Sequence, residues 1–481
     1  MGAPNPIDRV STDDLMSLAT EHGSTPMQVG AVLMLDAPSG LDPEQAARLL
    51  ARRLESVARL RQRLVTVPFG CGRPVWADDP AFDLAHHLTS VPCPAPGGEP
   101  AVLDLAATLI TTPLPRDRPL WSATLVTDTA GTAVHGTAVH GTAVHQTAAR
   151  QAALHEAAVH EAAAHETAVH EAAAHQAALI IVFHHVLADG IGGLAVLARL
   201  VDGAPAAADR AFSRPMPSAL RLVTDAARGH LRSLRRLPAT LTRIASAVTE
   251  LRPNSRPRLA PTSLNRPTGA RRRFLSIRVG LDHVRDVAHA HGATVNDVVL
   301  TVIGGALHRL LEQRGERLDR FVLSVPFSER RQTTAGELGN RSGIIPIEVP
   351  GVGDPAARLE CVARVTRAAK RSPPGASTAL LGPAFRLLAR LGLFQRFVDR
   401  QRLIHTFVTN LRGPTRRETI FGCPITAIVP LSVATGNVTV SFSVLSYAGT
   451  LTLTLNADPD ACTDLAALGH LLGEEIDALA G

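Results

Sequence analysis

The stretch Leu179-Ile180-Ile181-Val182-Phe183-His184-His185-Val186-Leu187-Ala188-Asp189-Gly190 decides how this chain is read. Its first residues have the length and branched apolar content of a strand buried on both faces. The two imidazoles stand where that strand ends, and Asp189-Gly190 closes the turn before a short apolar helix predicted over residues 192–201. One tight loop therefore carries two imidazoles and a carboxylate. A neutral imidazole, with an ordinary pKa of about 6.5, can take the proton of an alcohol as it attacks a thioester near neutral pH. Asp189 lies too near in sequence to be assumed an orienting carboxylate, and is expected to hold the loop by pairing with an arginine of the core. Gly190 is expected to leave room for an acyl chain or to take a positive φ.

Working outward, Thr25 to Leu35 reads as a buried strand, Gly40-Leu41-Asp42 caps a helix predicted over residues 43–60, and Leu120 to Thr127 reads as a second core strand. Between that strand and the histidine strand lies an insertion at about 130–177, made of near-copies of Thr-Ala-Val-His-Gly and Glu-Ala-Ala-Val-His. A five-residue step advances about 140° around a helix, so its histidines wind around the axis and form no single metal-binding stripe. A low-complexity expansion in a hairpin loop is the expected reading.

Residues 202–270 form a basic connection, in which fifteen arginines between Arg210 and Arg273 are opposed only by Asp225 and Glu250. Residues 218–251 carry apolar residues at near-helical spacing among those arginines, which suits either a helix on a membrane surface or a linker packed on its neighbours. A second α/β pattern follows. Strands are predicted at 273–279, 321–326, 343–349, 407–410, 438–447 and 450–457, with helices at 282–291, at 295–314 and from about 464. The expected division is thus an N-terminal domain over 1–201, a linker over 202–270 and a C-terminal domain over 271–481.

Composition narrows the function classes. A chain of 481 residues has room for two cores. Its 3% aromatic content argues against nucleic-acid stacking platforms. The net charge of +6 is almost wholly arginine, since Lys370 is the only lysine, and it suits anionic headgroups or the phosphates of a nucleotide-bearing substrate. Cys71, Cys93, Cys361, Cys423 and Cys462 are scattered and suit a reduced compartment. With no leader pattern and no apolar run of membrane-spanning length, the chain is expected to be cytoplasmic and at most peripheral on membranes.

The histidine loop fits the pattern His-His-x-x-x-Asp-Gly, which resembles the signature shared by coenzyme A-dependent acyltransferases and peptide condensation domains. Pro26-Met27-Gln28-Val29-Gly30, residues 113–121 ending in Pro119-Leu120-Trp121, Asn296-Asp297-Val298-Val299 and Thr409-Asn410-Leu411-Arg412-Gly413-Pro414 narrow the resemblance to the bacterial wax ester synthase and diacylglycerol acyltransferase family. The resemblance implies an α/β fold of two chloramphenicol-acetyltransferase-like domains with a substrate tunnel between them. It implies that His185 is the general base and His184 its structural neighbour, while Asp189 and Gly190 shape the loop. Pro119, Leu120, Trp121, Asn296, Asp297, Thr409 and Asn410 would then line the substrate channel or support its scaffold. The implied reaction moves a fatty acyl group from acyl-CoA to diacylglycerol or a long-chain alcohol, at a membrane or lipid-inclusion surface, with no metal and no cofactor. The insertion departs from the family pattern and puts turnover in question.

Two rivals remain at this level: a carrier-protein-dependent condensation-type acyltransferase, and a catalytically idle lipid-surface protein. Other motifs carry less. His86-His87 lacks an Asp-Gly at the required spacing and reads as structural. Gly190-Ile191-Gly192-Gly193-Leu194-Ala195 starts too far past the strand end for a dinucleotide turn, and no Gly-x-Ser-x-Gly elbow occurs.

Overall fold

A computed structural model of the chain describes residues 7–11, 14–15, 17–18, 21, 26–38, 40–129, 177–205, 212–235, 259–260, 262–328, 342–371, 388, 391–432 and 435–480. The repeat tract and residues 236–258 of the basic connection lie outside the described residues.

The first half contains β1 (Gln28–Leu35), α1 (Pro43–Leu54), β2 (Gln62–Val65), β3 (Val75–Asp78), β4 (Leu88–Pro92), α2 (Gly98–Thr111), β5 (Trp121–Thr127), β6 (Ala177–His184) and α3 (Gly190–Leu200). In α1 the Asp42 carboxylate accepts from the Glu44 amide and Pro43 opens the first turn, so the helix starts where its capping residues dictate. After α4 (Ala219–Arg235) come β7 (Arg273–Gly280), α5 (Leu281–Ala290), α6 (Val295–Gln313), β8 (Arg320–Ser328), β9 (Ser342–Pro350), α7 (Pro355–Arg371) and α8 (Phe394–Val398). The chain continues through β10 (Thr406–Arg412), β11 (Thr419–Ile420), β12 (Cys423–Leu431), β13 (Val440–Tyr447), β14 (Thr450–Ala457) and α9 (Leu465–Ala480).

Two six-stranded mixed sheets organise these elements, in the orders β11-β12-β1-β6-β5-β4 and β7-β14-β13-β10-β8-β9. β6 is buried at every position because α1 and α3 cover one face of its sheet and α2 the other. That explains its continuous apolar run. The second sheet packs its core on α5, α6, α7 and α9.

The sheets do not respect the expected division at residue 271. β12 pairs antiparallel with β1, from Gly30↔Leu431 to Leu35↔Ile425, and completes the first sheet with residues from the far end of the chain. The edge of β1 would otherwise lie open, and β12 fills both faces beside it, with Ile425 and Ile428 in one core and Ala427, Val429 and Leu431 in the other. Leu445 and Tyr447 of β13 join the first-half core, and Arg278 of β7 pairs with Glu99 of α2 at 2.7 Å. The basic connection is packed in its described part. Leu222 and Ala226 of α4 are buried, with Leu222 against Cys71 and Val75, and Arg9 pairs with Asp225 at 2.6 Å.

Gly30 shows how closely β1 and β6 approach, since a Cβ there would stand 2.3 Å from the Ile181 carbonyl oxygen. A Gly30→Val variant is expected to lose about 1–3 kcal/mol of stability through this overlap, seen as a lower thermal midpoint. An unchanged midpoint would show that the two strands separate freely here.

Candidate active site

The histidine loop is held by main-chain bonds before any side chain is considered. The His184 amide donates to the Leu120 carbonyl at 3.0 Å, the His185 amide to the Met27 carbonyl at 2.8 Å, and the Leu187 amide back to the His184 carbonyl at 2.8 Å. Two of the sequence motifs therefore meet at the histidines through their backbones. Leu120 and Met27 serve the loop with carbonyl oxygens, a role that any side-chain pattern conceals.

Val186 donates its amide to Nδ1 of His184 at 3.0 Å. An imidazole nitrogen that accepts a hydrogen bond carries no proton, so in the neutral ring the proton sits on Nε2. That nitrogen faces Oε2 of Glu21 at 3.2 Å, and Arg116 pairs with the same carboxylate. Glu21 also reaches toward the Met27 amide through Oε1 at 3.4 Å. Burial, reinforced by the Arg116 charge, pushes the His184 pKa down to about 4. The carboxylate at 3.2 Å favours the cation, but Arg116 offsets it and burial decides the balance.

His185 keeps partial exposure while Val186, Leu187 and Ala188 around it are buried. Burial lowers its pKa, opposed chiefly by Asp189 and more weakly by Asp14. The ring is thus neutral near pH 7, the state a proton acceptor needs.

Asp189 does its visible work at the start of α3, where its Oδ1 accepts from the Gly192 amide at 2.8 Å. That contact caps the helix. It also turns the positive end of the α3 dipole toward a carboxylate. Gly190 does not take the positive φ anticipated as one alternative. It leaves room instead, but for Leu411 of β10, whose Cδ1 would lie 3.0 Å from a Cβ at this position. The histidine loop and the second half are in contact here.

The other expected site residues divide. Asn410 Nδ2 donates to Asn296 Oδ1 at 3.3 Å, so two motifs more than a hundred residues apart converge beside the strand that touches Gly190. Thr409 lies half-buried in the same strand, in register with Ser443. Asp297 is turned into scaffold: it forms a capping box with Thr294 and accepts from the Thr366 hydroxyl at 2.7 Å. Trp121 donates its indole N–H to the Leu60 carbonyl at 2.8 Å and stacks on His87 at 4.7 Å, while the Pro119 carbonyl accepts the Trp121 amide at 2.9 Å. His87 is correspondingly a core residue, stacked also on Phe82 at 5.3 Å. Glu21, Arg116 and Asp14 were not anticipated. Arg116 stands inside the quoted motif of residues 113–121, but nothing in local spacing shows that Glu21 turns back to the histidine strand.

Comparison with known proteins places this geometry. Residues 10–151 and 167–299 match the wax ester synthase/diacylglycerol acyltransferase catalytic domain, and residues 338–480 match the WS/DGAT C-terminal domain. A protein of Mycobacterium tuberculosis named "probable diacylglycerol O-acyltransferase tgs1" is 28% identical over 474 residues, covering 94% of this chain and 91% of its own. Among solved structures, a wax ester synthase/diacylglycerol acyltransferase from Marinobacter aquaeolei superposes with a TM-score of 0.64 at 20% identity, over 98% of both chains. The first condensation domain of the calcium-dependent antibiotic synthetase follows with a TM-score of 0.59 at 18% identity, over 100% of this chain and 98% of that one. These superpositions show the two-domain α/β fold expected from the sequence.

The buried His184 gives a pH signature. An unfolded histidine binds a proton below about pH 6.5, whereas the folded ring refuses it until about pH 4. Stability present above about pH 6.5 should therefore decline as the pH falls toward about 4 and then level off. The drop in thermal midpoint between pH 7 and pH 4.5 is expected to be smaller in His184→Gln than in wild type. Equal slopes would mean that His184 titrates normally in the fold.

Proposed function

From the premise that this chain belongs to the wax ester synthase/diacylglycerol acyltransferase family, we propose that His185 is the general base of its acyl transfer. The chain is an acyltransferase enzyme. The finer reading rests on one observation: a neutral, partly exposed imidazole fixed by its own amide at the point where the first half touches β10 of the second.

In this reading acyl-CoA and an alcohol meet at His185 along the seam marked by Gly190 and Leu411. The imidazole takes the hydroxyl proton as the alcohol oxygen attacks the thioester carbonyl. The tetrahedral intermediate then collapses, the carbon–sulfur bond breaks, and the imidazolium returns the proton to the thiolate, leaving an ester and free coenzyme A. The chemistry draws on protein groups alone, and acyl-CoA is a substrate. Glu21 and Arg116 are positioning residues: the Glu21 carboxylate faces Nε2 of His184 and orients the ring beside His185, while burial and the Arg116 charge keep that ring neutral. Asn296 and Asn410, which meet beside Leu411, are assigned to substrate binding.

The acceptor class is the hydroxyl of diacylglycerol or of a long-chain alcohol, and the place of action is the surface of a membrane or lipid inclusion. No described helix is long and apolar enough to cross a membrane. Support for a peripheral role comes from α4, which buries Leu222 yet leaves Leu220, Val223 and Leu231 exposed beside Arg228 and Arg232.

Release of free coenzyme A from palmitoyl-CoA, with diolein or hexadecanol as acceptor, is expected in wild type and reduced by about 10²- to 10⁴-fold in His185→Ala. Equal inactivity with both alcohols in both proteins would remove the assignment. Glu21→Gln preserves shape but removes the charge that faces Nε2 of His184, and is expected to lower kcat by about tenfold, the equivalent of ~1.4 kcal/mol, with KM unchanged. A rise in KM with kcat intact would place Glu21 in substrate binding instead.

A further inference from the structure

Of the nine large apolar side chains that stand exposed among the described residues, five gather around α4. Leu220, Val223 and Leu231 belong to the helix, Met216 precedes it by three residues, and Phe69 is fully exposed on the loop between β2 and β3. That loop is packed on α4. Cys71, two residues beyond Phe69, shares a core cluster with Leu222, and a Cβ added at Gly72 would stand 3.1 Å from the Ala226 Cβ. Exposed apolar residues standing singly are ordinary on a protein surface, but a group of them marks an interaction site.

With about 100° between successive residues, α4 presents three faces. Leu222 and Ala226 point into the fold. Leu220, Val223, Ala227 and Leu231, all exposed, fall within about 80° of one another on a second face. Arg221, Arg228 and Arg232 form the third, within about 40° and beside the exposed apolar face. The one carboxylate of the helix, Asp225, is already paired with Arg9 at 2.6 Å, and Arg73 adds a further cation from the Phe69 loop. An apolar stripe edged by arginines matches the profile of a phospholipid leaflet, whose acyl chains lie beneath anionic headgroups. The arginine stems can lie along apolar surface and leave the guanidinium at headgroup level. A second copy docking by the same face would set these arginines against their own equivalents, and a neutral oil surface offers them no counter-charge.

We propose that α4 and the Phe69 loop are the face by which the enzyme docks on a phospholipid bilayer with anionic headgroups. The inference rests on the peripheral place of action proposed above, and it names the surface and the lipid chemistry that carry it. The helix, about 25 Å long, lies along the leaflet. Phe69, Leu220, Val223 and Leu231 enter the acyl region, while Arg221, Arg228 and Arg232 meet the headgroup phosphates. Docking in this way holds the enzyme where water-insoluble alcohols are dissolved.

Flotation of the full-length protein measures its partition onto vesicles of phosphatidylcholine alone or of equal parts phosphatidylcholine and phosphatidylglycerol. Wild type is expected to partition at least about tenfold more strongly onto the anionic vesicles, since each arginine near such a surface contributes severalfold. Leu220→Glu/Leu231→Glu and, separately, Arg228→Gln/Arg232→Gln are each expected to lower that partition by about tenfold or more. All four side chains are exposed, so a thermal midpoint equal to that of wild type is the folding control. Leu403→Glu, the same change at an exposed leucine outside α4 and its loop, is expected to leave the partition unchanged. Coenzyme A release from palmitoyl-CoA with 1-hexanol, measured without vesicles, is expected to be equal in wild type and the α4 variants. If none of these proteins turns over while the differences in partition persist, the acyl-transfer reading fails and the docking face stands. Equal partition of wild type onto both vesicles, unchanged partition in the α4 variants, or an equal loss in Leu403→Glu would overturn the proposal. Tighter binding to a triolein emulsion than to the anionic vesicles would assign the face to a neutral inclusion surface. A lipid-free dimer, seen by sedimentation velocity and dissociated by Leu220→Glu/Leu231→Glu, would assign it to a second copy, and either result overturns the proposal.

Discussion

The placement of β6 between β1 and β5 is the constraint on which the site depends. Its ladder runs in unbroken antiparallel register on both sides, from Leu35↔Ala177 to Gln28↔His184 on one and from Thr127↔Ala177 to Trp121↔Phe183 on the other. A one-residue slip would exchange the faces of every side chain in the strand. It would also remove the Leu120 and Met27 carbonyls from the amides of His184 and His185. Position at this loop is therefore set by the sheet, through peptide groups that cannot adopt alternative rotamers. The two imidazoles inherit that precision.

Burial then divides the work between two adjacent and chemically identical side chains. His184 is enclosed, bonded at Nδ1 and faced at Nε2 by a carboxylate already engaged with Arg116. His185 retains exposure and an electrostatic neighbour in Asp189, whose Oδ1 also accepts the Gly192 amide at the start of α3. The same carboxylate thus ties the helix start to the ring that faces the seam. Environments that set two like groups apart are a common way to assign acid–base roles.

Much of this was legible in the sequence because it was local. The apolar run before His184, the Asp-Gly that closes the loop, and the six strands and three helices predicted for the second half announce themselves by period and by capping residues, and those elements agree with the reading to within a few residues. The limits of legibility were non-local. β12 reads as an ordinary apolar segment, and only the open edge of β1 explains why it crosses into the first sheet. α2 is hard to read because apolar residues on several sides blur its period, whereas α7 does keep a helical period, with Leu359, Val362, Ala363 and Thr366 on its buried face. At the site, the sequence pointed to Trp121 and Asp297 as motif residues but gave no means to see that their polar atoms are used internally, by Leu60 and by Thr294 and Thr366. Glu21 was invisible for the opposite reason: its meaning lies in a partner more than 160 residues away.

The insertion can be weighed in the same physical terms. It joins the fold between Thr127 and Ala177, which are paired with each other at the end of the β5–β6 ladder. His184 is at the other end of β6, seven residues on, or about 24 Å at the usual rise per strand residue. A hairpin loop is an entropically tolerant place for added length, since closure cost grows only with the logarithm of loop size. The ladder between the junction and the histidines retains every paired register position, so the added residues do not disturb the strand that presents the loop. Selection on the site would act at His184 and His185, where the sheet allows no slack, and would leave the distant junction free to lengthen.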